Sequence, residues 1–142
     1  IGRALWFLHA AQAARLPAAV ERFAVPRQPD LWSGVGVAAT MAGGAPPEEL
    51  RALAAAAGGC RPELAQGAVF AATARAFTGH MTDHTAAATT ALTDLSVDDA
   101  LVLAGETGQD LDQDAGVPAY EVWRQRLQRR FAPAGRAGAA SG

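Results

Sequence analysis

Apolar positions along this chain recur at three- and four-residue spacing inside alanine-rich stretches, and breaks of Pro, Gly and Asp separate those stretches. That period belongs to helices with one buried face, while the alternating β-branched runs that would signal strands are missing. The pattern predicts an all-α fold of seven to eight helices with no sheet. A first helix covers about Gly2 to Ala11. A second starts near Pro17, where a missing amide does no harm in a first helical turn, and runs to Val25. A third follows Pro29-Asp30, with Asp30 placed to cap free amides, and stops at Gly43-Gly44. The fourth follows Pro46-Pro47, carries Glu48 and Glu49 in its first turn, where helix amides attract negative charge, and ends at Gly58-Gly59.

The fifth helix runs from Pro62-Glu63 to Gly79, and the sixth from Thr82-Asp83 to about Leu95. Ser96 with Asp99 three residues later has the spacing of a cap, which sets a seventh helix over Val97 to Thr107. The eighth, Ala119 to Phe131, is the most amphipathic. Tyr120, Trp123, Leu127 and Phe131, with Val122, mark its apolar stripe, while Arg124, Gln125, Gln128 and Arg129 fall towards the other side. Residues 1–131 therefore read as one helical domain, and 132–142, rich in Ala, Gly and Ser, as a flexible tail.

The middle of the chain repeats itself. Pro29-Asp30-Leu31-Trp32-Ser33-Gly34 followed by Ala38-Ala39-Thr40 returns, 33 residues on, as Pro62-Glu63-Leu64-Ala65-Gln66-Gly67 followed by Ala71-Ala72-Thr73. Each copy opens a helix with a proline and an acid, then sets a glycine and small residues on a face that a neighbouring helix can approach closely. The period is near that of tetratricopeptide hairpins. Two copies fall short of the three that a solenoid needs, so the expected architecture is an irregular array of helical hairpins with a partial tetratricopeptide-like repeat.

Composition narrows the function classes. A length of 142 residues suits one domain with a real core, and a net charge of −2 is close to neutral. All twelve basic residues are arginine and are well spread except near the end, and neither a basic stripe nor a high pI is there to capture nucleic acid. No apolar run approaches the roughly 20 residues of a membrane span. Cys60 is alone and needs no oxidising compartment, which makes the cytoplasm the expected location. The chain opens on Ile1 and passes at once into Leu5-Trp6-Phe7-Leu8, which reads as the C-terminal part of a longer protein; its missing N-terminal half is an expected partner.

Candidate chemistry is sparse. Asp110, Asp112 and Asp114 alternate and Glu121 lies eleven residues after Asp110, the acidic positions of a calcium loop, but Ala115 stands where the sharp turn needs glycine and Pro118 where a water-bridged ligand belongs. A solvated acidic linker is the better reading. His80 and His84 have the spacing of two imidazoles meeting one metal, yet His80 follows Gly79 in a turn, so backbone hydrogen bonding accounts for the pair. His9 reads as a satisfied histidine near a helix end. Cys60 precedes Arg61, a cation that would lower a thiol pKa. Trp6, Trp32 and Trp123 suit core packing first and the wall of a pocket for a flat ligand second. No serine-nucleophile, phosphate-loop or dinucleotide motif is present. Catalytic residues are therefore unassigned, and no metal or cofactor is predicted.

Several longer motifs carry a resemblance. Gly2-Arg3-Ala4-Leu5-Trp6-Phe7, Asp30-Leu31-Trp32-Ser33-Gly34-Val35-Gly36 with Ala42-Gly43-Gly44, Leu64-Ala65-Gln66-Gly67-Ala68, His84-Thr85 and Pro118-Ala119-Tyr120-Glu121-Val122-Trp123-Arg124 resemble the C-terminal half of the UnbL-like family of unknown function. Genes of that family lie in enediyne antibiotic clusters of actinomycetes. The resemblance implies an accessory protein of enediyne polyketide core maturation that binds or processes an apolar, polyene-derived intermediate. It implies a polyketide synthase or other biosynthetic enzymes as partners. Trp6, Trp32, Tyr120 and Trp123 would then wall the ligand site, with Arg3, His9, Asp30, Glu121 and Arg124 as its polar groups. A non-catalytic helical scaffold for biosynthetic enzymes, or self-resistance by sequestration, are the alternatives.

Overall fold

The computed structural model describes residues 13–42, 45–109 and 119–132. Among them the chain forms seven α-helices and no strand. These are α1 (Leu16–Glu21), α2 (Gln28–Ala42), α3 (Pro47–Ala56), α4 (Arg61–Thr78), α5 (Asp83–Thr93), α6 (Val97–Thr107) and α7 (Ala119–Phe131). Short 3-10 turns at Ala13–Arg15, Val25–Arg27 and Gly58–Cys60 precede α1, α2 and α4. The expected helix over Gly2 to Ala11 and the acidic segment Asp110 to Asp114 lie outside the described residues.

Local chemistry sets most of the boundaries. The Ser96 hydroxyl accepts the Asp99 amide at 3.1 Å and starts α6, and the Thr82 hydroxyl accepts that of Thr85 at 3.3 Å to start α5. At the far end of α4, Gly79 turns left-handed with φ 78°, letting the amides of Gly79 and His80 reach the carbonyls of Ala76 and Arg75. The second expected helix is shorter than its pattern suggests: α1 stops at Glu21 and Val25–Arg27 forms a separate turn. Pro26 has no amide to give Arg22, and its ring would meet that carbonyl. Asp30 lies inside the first turn of α2 instead of capping it, and its carboxylate pairs with Arg124.

Helix α4 is the axis of the fold, touching α2, α3, α5, α6 and α7. Its contact with α2 is backbone on backbone. A Cβ on Gly36 would sit 2.1 Å from the carbonyl oxygen of Leu64, and one on Gly67 would sit 2.1 Å from that of Ser33, so neither position has room for a side chain. The repeat pairs Gly34 with Gly67, but the glycine of α2 at the crossing is Gly36. The two helices run in the same direction, because Ser33 meets Gly67 near their starts and the Met41 carbonyl accepts Arg75 Nη2, at 2.8 Å, near their ends.

Two apolar clusters flank this crossing. One gathers Leu16, Val20, Leu31, Trp32, Val35, Leu50, Leu53, Leu64 and Leu92. The other joins Val69, Leu103, Ala104 and Leu127, with Phe70, Trp123 and Phe131 packed against it. The threonines buried in α5 do not break this dry interior. Thr89 and Thr93 return their hydroxyls to carbonyls one turn back at 2.7 and 2.6 Å, and Thr85 gives its own to the Thr40 carbonyl at 2.9 Å.

Candidate ligand groove

Three helices frame a groove of about 450 Å³. Helix α2 supplies Asp30, Ser33, Gly34, Val37 and Met41, α4 supplies Phe70, Ala71 and Ala74, and α7 closes one end with Tyr120 and Arg124. Its long walls are small and apolar because the glycine-mediated approach of α2 and α4 leaves small residues along their shared edge. Phe70 and Tyr120 form an aromatic corner, with ring centroids 5.1 Å apart and planes inclined at 57°.

The polar end is organised by one guanidinium. Each nitrogen of Arg124 already donates: Nε to Gln66 Oε1 at 3.2 Å, Nη1 to the Glu121 carboxylate at 3.1 Å, and Nη2 to Asp30. Burial works to lower its pKa; the hydrogen bond it donates to Asp30 and the charges of Glu121 and Asp30 outweigh that and raise it above the ordinary value, so the group stays cationic. Beneath it, Gln66 is fully buried, and its carbonyl oxygen also accepts Ser33 Oγ at 2.8 Å and Gln128 Nε2 at 3.2 Å. Its amide nitrogen and Glu63 Oε2, one turn earlier on α4, are buried without partners.

Of the residues expected to line a ligand site, Asp30, Tyr120 and Arg124 meet at the groove, and Glu121 stands behind Arg124. Trp32 does not: it is 4 % exposed in the cluster on the other side of α2. Trp123 backs the wall without forming it, stacked on Phe70 at 4.6 Å and 25°, with its indole N–H donating to Ala104 O and Thr107 Oγ1. Arg3, Trp6 and His9 lie outside the described residues. Arg124 and Gln128, expected on the outer side of the last helix, turn inward because Gln66 offers a buried acceptor. Gln66 and Phe70 were not singled out, although the repeat aligns Ser33 with Gln66 and these two side chains bond to each other.

The other candidates resolve simply. His84 Nε2 lies 2.9 Å from the Met41 carbonyl and Nδ1 lies 3.3 Å from Thr82 Oγ1, so its ring serves the end of α2. The Cys60 thiol is pushed up in pKa, first by burial and then by Glu63, against the lowering expected from Arg61. Arg61 turns instead to Asp94 at 2.7 Å. A larger cleft of about 590 Å³ lies between α4, α5, α6 and α7, over Leu92, Leu95, Leu103 and Phe131. Its charged rim pairs with itself in solvent, as Arg61 with Asp94 and, at 3.8 Å, Arg130 with Glu106. Its buried polar residue, Thr93, is satisfied by Thr89 O and the Leu95 amide.

The described residues thus define an all-α domain with a polar-ended groove, and no described helix is long and apolar enough to cross a membrane. The chain belongs to the family described as protein of unknown function DUF1702, which matches residues 1–131. No match was found among curated proteins or among solved structures.

Proposed function

We propose that this protein binds an elongated, apolar, conjugated molecule in the groove between α2, α4 and α7, as an accessory protein of enediyne polyketide core maturation. The observation that carries the reading is the groove itself: small apolar walls, an aromatic corner at Phe70 and Tyr120, and polar groups converging at one end. The resemblance to the UnbL-like family supplies the biosynthetic context of this reading, and several residues of the motifs that carry it lie at the groove, among them Asp30, Ser33, Gly34, Tyr120 and Arg124. Deleting the gene from an enediyne-producing strain should abolish the enediyne and accumulate a polyene, read by mass spectrometry. Complementation with the wild-type gene should restore output. The Ala74→Trp variant, whose new side chain fills the groove from an exposed position, should not. Undiminished enediyne after deletion would refute the reading.

A further inference from the structure

The groove's polar end also selects the kind of head group a ligand can carry. We infer, resting on the groove reading above, that its ligand ends in a group that donates hydrogen bonds and bears no negative charge, such as a hydroxyl or an ammonium, in preference to a terminal carboxylate. The cation that would attract an anion is already committed, since all three Arg124 nitrogens donate to Gln66, Asp30 and Glu121. The capacity that faces a newcomer is that of an acceptor, since the donors left over, Gln66 Nε2 among them, are buried. The Asp30 side chain is 75 % exposed at the groove while that of Arg124 is 17 % exposed, so an entering group meets carboxylate oxygen before guanidinium.

Formal charge agrees with this hydrogen-bond count. Asp30 and Glu121 place two carboxylates around one guanidinium. The free amides at the starts of α2 and α7 work the other way and offset much of that excess, so the preference rests on which charge is exposed, and that charge is Asp30. Arg75, beside the opposite end of the groove, turns Nη2 onto the Met41 carbonyl and does not line it. The Tyr120 ring, 58 % exposed at the same end as Asp30, adds a π face that favours a cationic or hydroxylic group over an anionic one.

The test uses three conjugated probes with one skeleton and three ends: all-trans-retinol, retinylamine and retinoate. Binding is followed by quenching of tryptophan emission, for which Trp123, stacked directly behind Phe70, lies within reach of the groove. Retinol and retinylamine should bind at least about tenfold more tightly than retinoate, the scale expected when like charges are brought together in a partly desolvated site. Asp30→Asn, a change at an exposed side chain, should narrow that gap to about threefold or less. Ala74→Trp should weaken all three. Retinoate binding as tightly as retinol, or a gap untouched by Asp30→Asn, would overturn the head-group inference while leaving the groove reading intact. Failure of all three probes to bind, or binding insensitive to Ala74→Trp, would overturn the groove reading itself.

Discussion

Helix α4 meets two neighbours by opposite means. Against α2 it offers Gly67 and receives Gly36, and the peptide groups touch with no side chain between them. Against α7 it offers Gln66 and Glu63 beside Phe70, and long polar side chains fill the seam next to the apolar anchor Leu127. The first contact admits one geometry. The second is adjustable: one buried amide nitrogen and one buried carboxylate oxygen are left without partners, so the seam gains less than a fully matched network would. The element that closes the groove is thus held by side chains, and the two that wall it by main-chain contact.

The strongest way to break this contrast is to add one methyl group from either helix at the α2–α4 crossing. Gly67→Ala and Gly36→Ala should each destabilise the fold by about 3 kcal/mol or more, because a carbonyl stands where the Cβ must go and the helices have to separate. Gly105→Ala in α6, where nothing lies within 4 Å, should stabilise by about 0.5–1 kcal/mol through helix propensity. Urea denaturation compares the three, and a Gly67→Ala protein as stable as wild type would mean the crossing is not the rigid contact described. Arg124→Gln removes the residue that ties α7 to α2 and should cost about 1–2 kcal/mol. Hydrogen exchange should place that loss in α7 and leave α2 and α4 protected; an even loss across the domain would erase the distinction. The smallest effect is at Glu63, which holds the Cys60 thiol up in pKa together with burial. Iodoacetamide at pH 8 should alkylate Cys60 faster in Glu63→Gln than in wild type, since the thiolate fraction grows as the pKa falls. It should still be slower than free cysteine, because burial persists. An unchanged rate would remove Glu63 as a cause.

Helix positions were legible where local chemistry alone decides them. Ser96 and Asp99 fix the start of α6, Gly79 the end of α4, and the bounds of α6 and α7 fall where the pattern puts them. What the pattern could not carry was facing. Arg124 and Gln128 occupy positions that face outward on an isolated amphipathic helix; the fully buried Gln66, placed by the α2–α4 crossing, accepts from both, and Asp30 of α2 accepts from Arg124 as well. Tryptophans misled in the same way. Aromatic bulk suits a pocket wall and a core alike, and Trp32 went to the core because the helix face it shares with Leu31 and Val35 is the one turned away from the groove. The usable signal for Gln66 lay in the repeat, where a polar residue precedes the glycine in each copy and the two copies meet side by side.

Peptide groups in contact also give the groove a fixed calibre. Its long walls belong to α2 and α4, whose separation is set at Gly36 and Gly67 by main-chain atoms, so exchanging one lining side chain for another leaves the spacing unchanged. Its surface can therefore be rebuilt residue by residue while the floor beneath stays where main-chain atoms hold it.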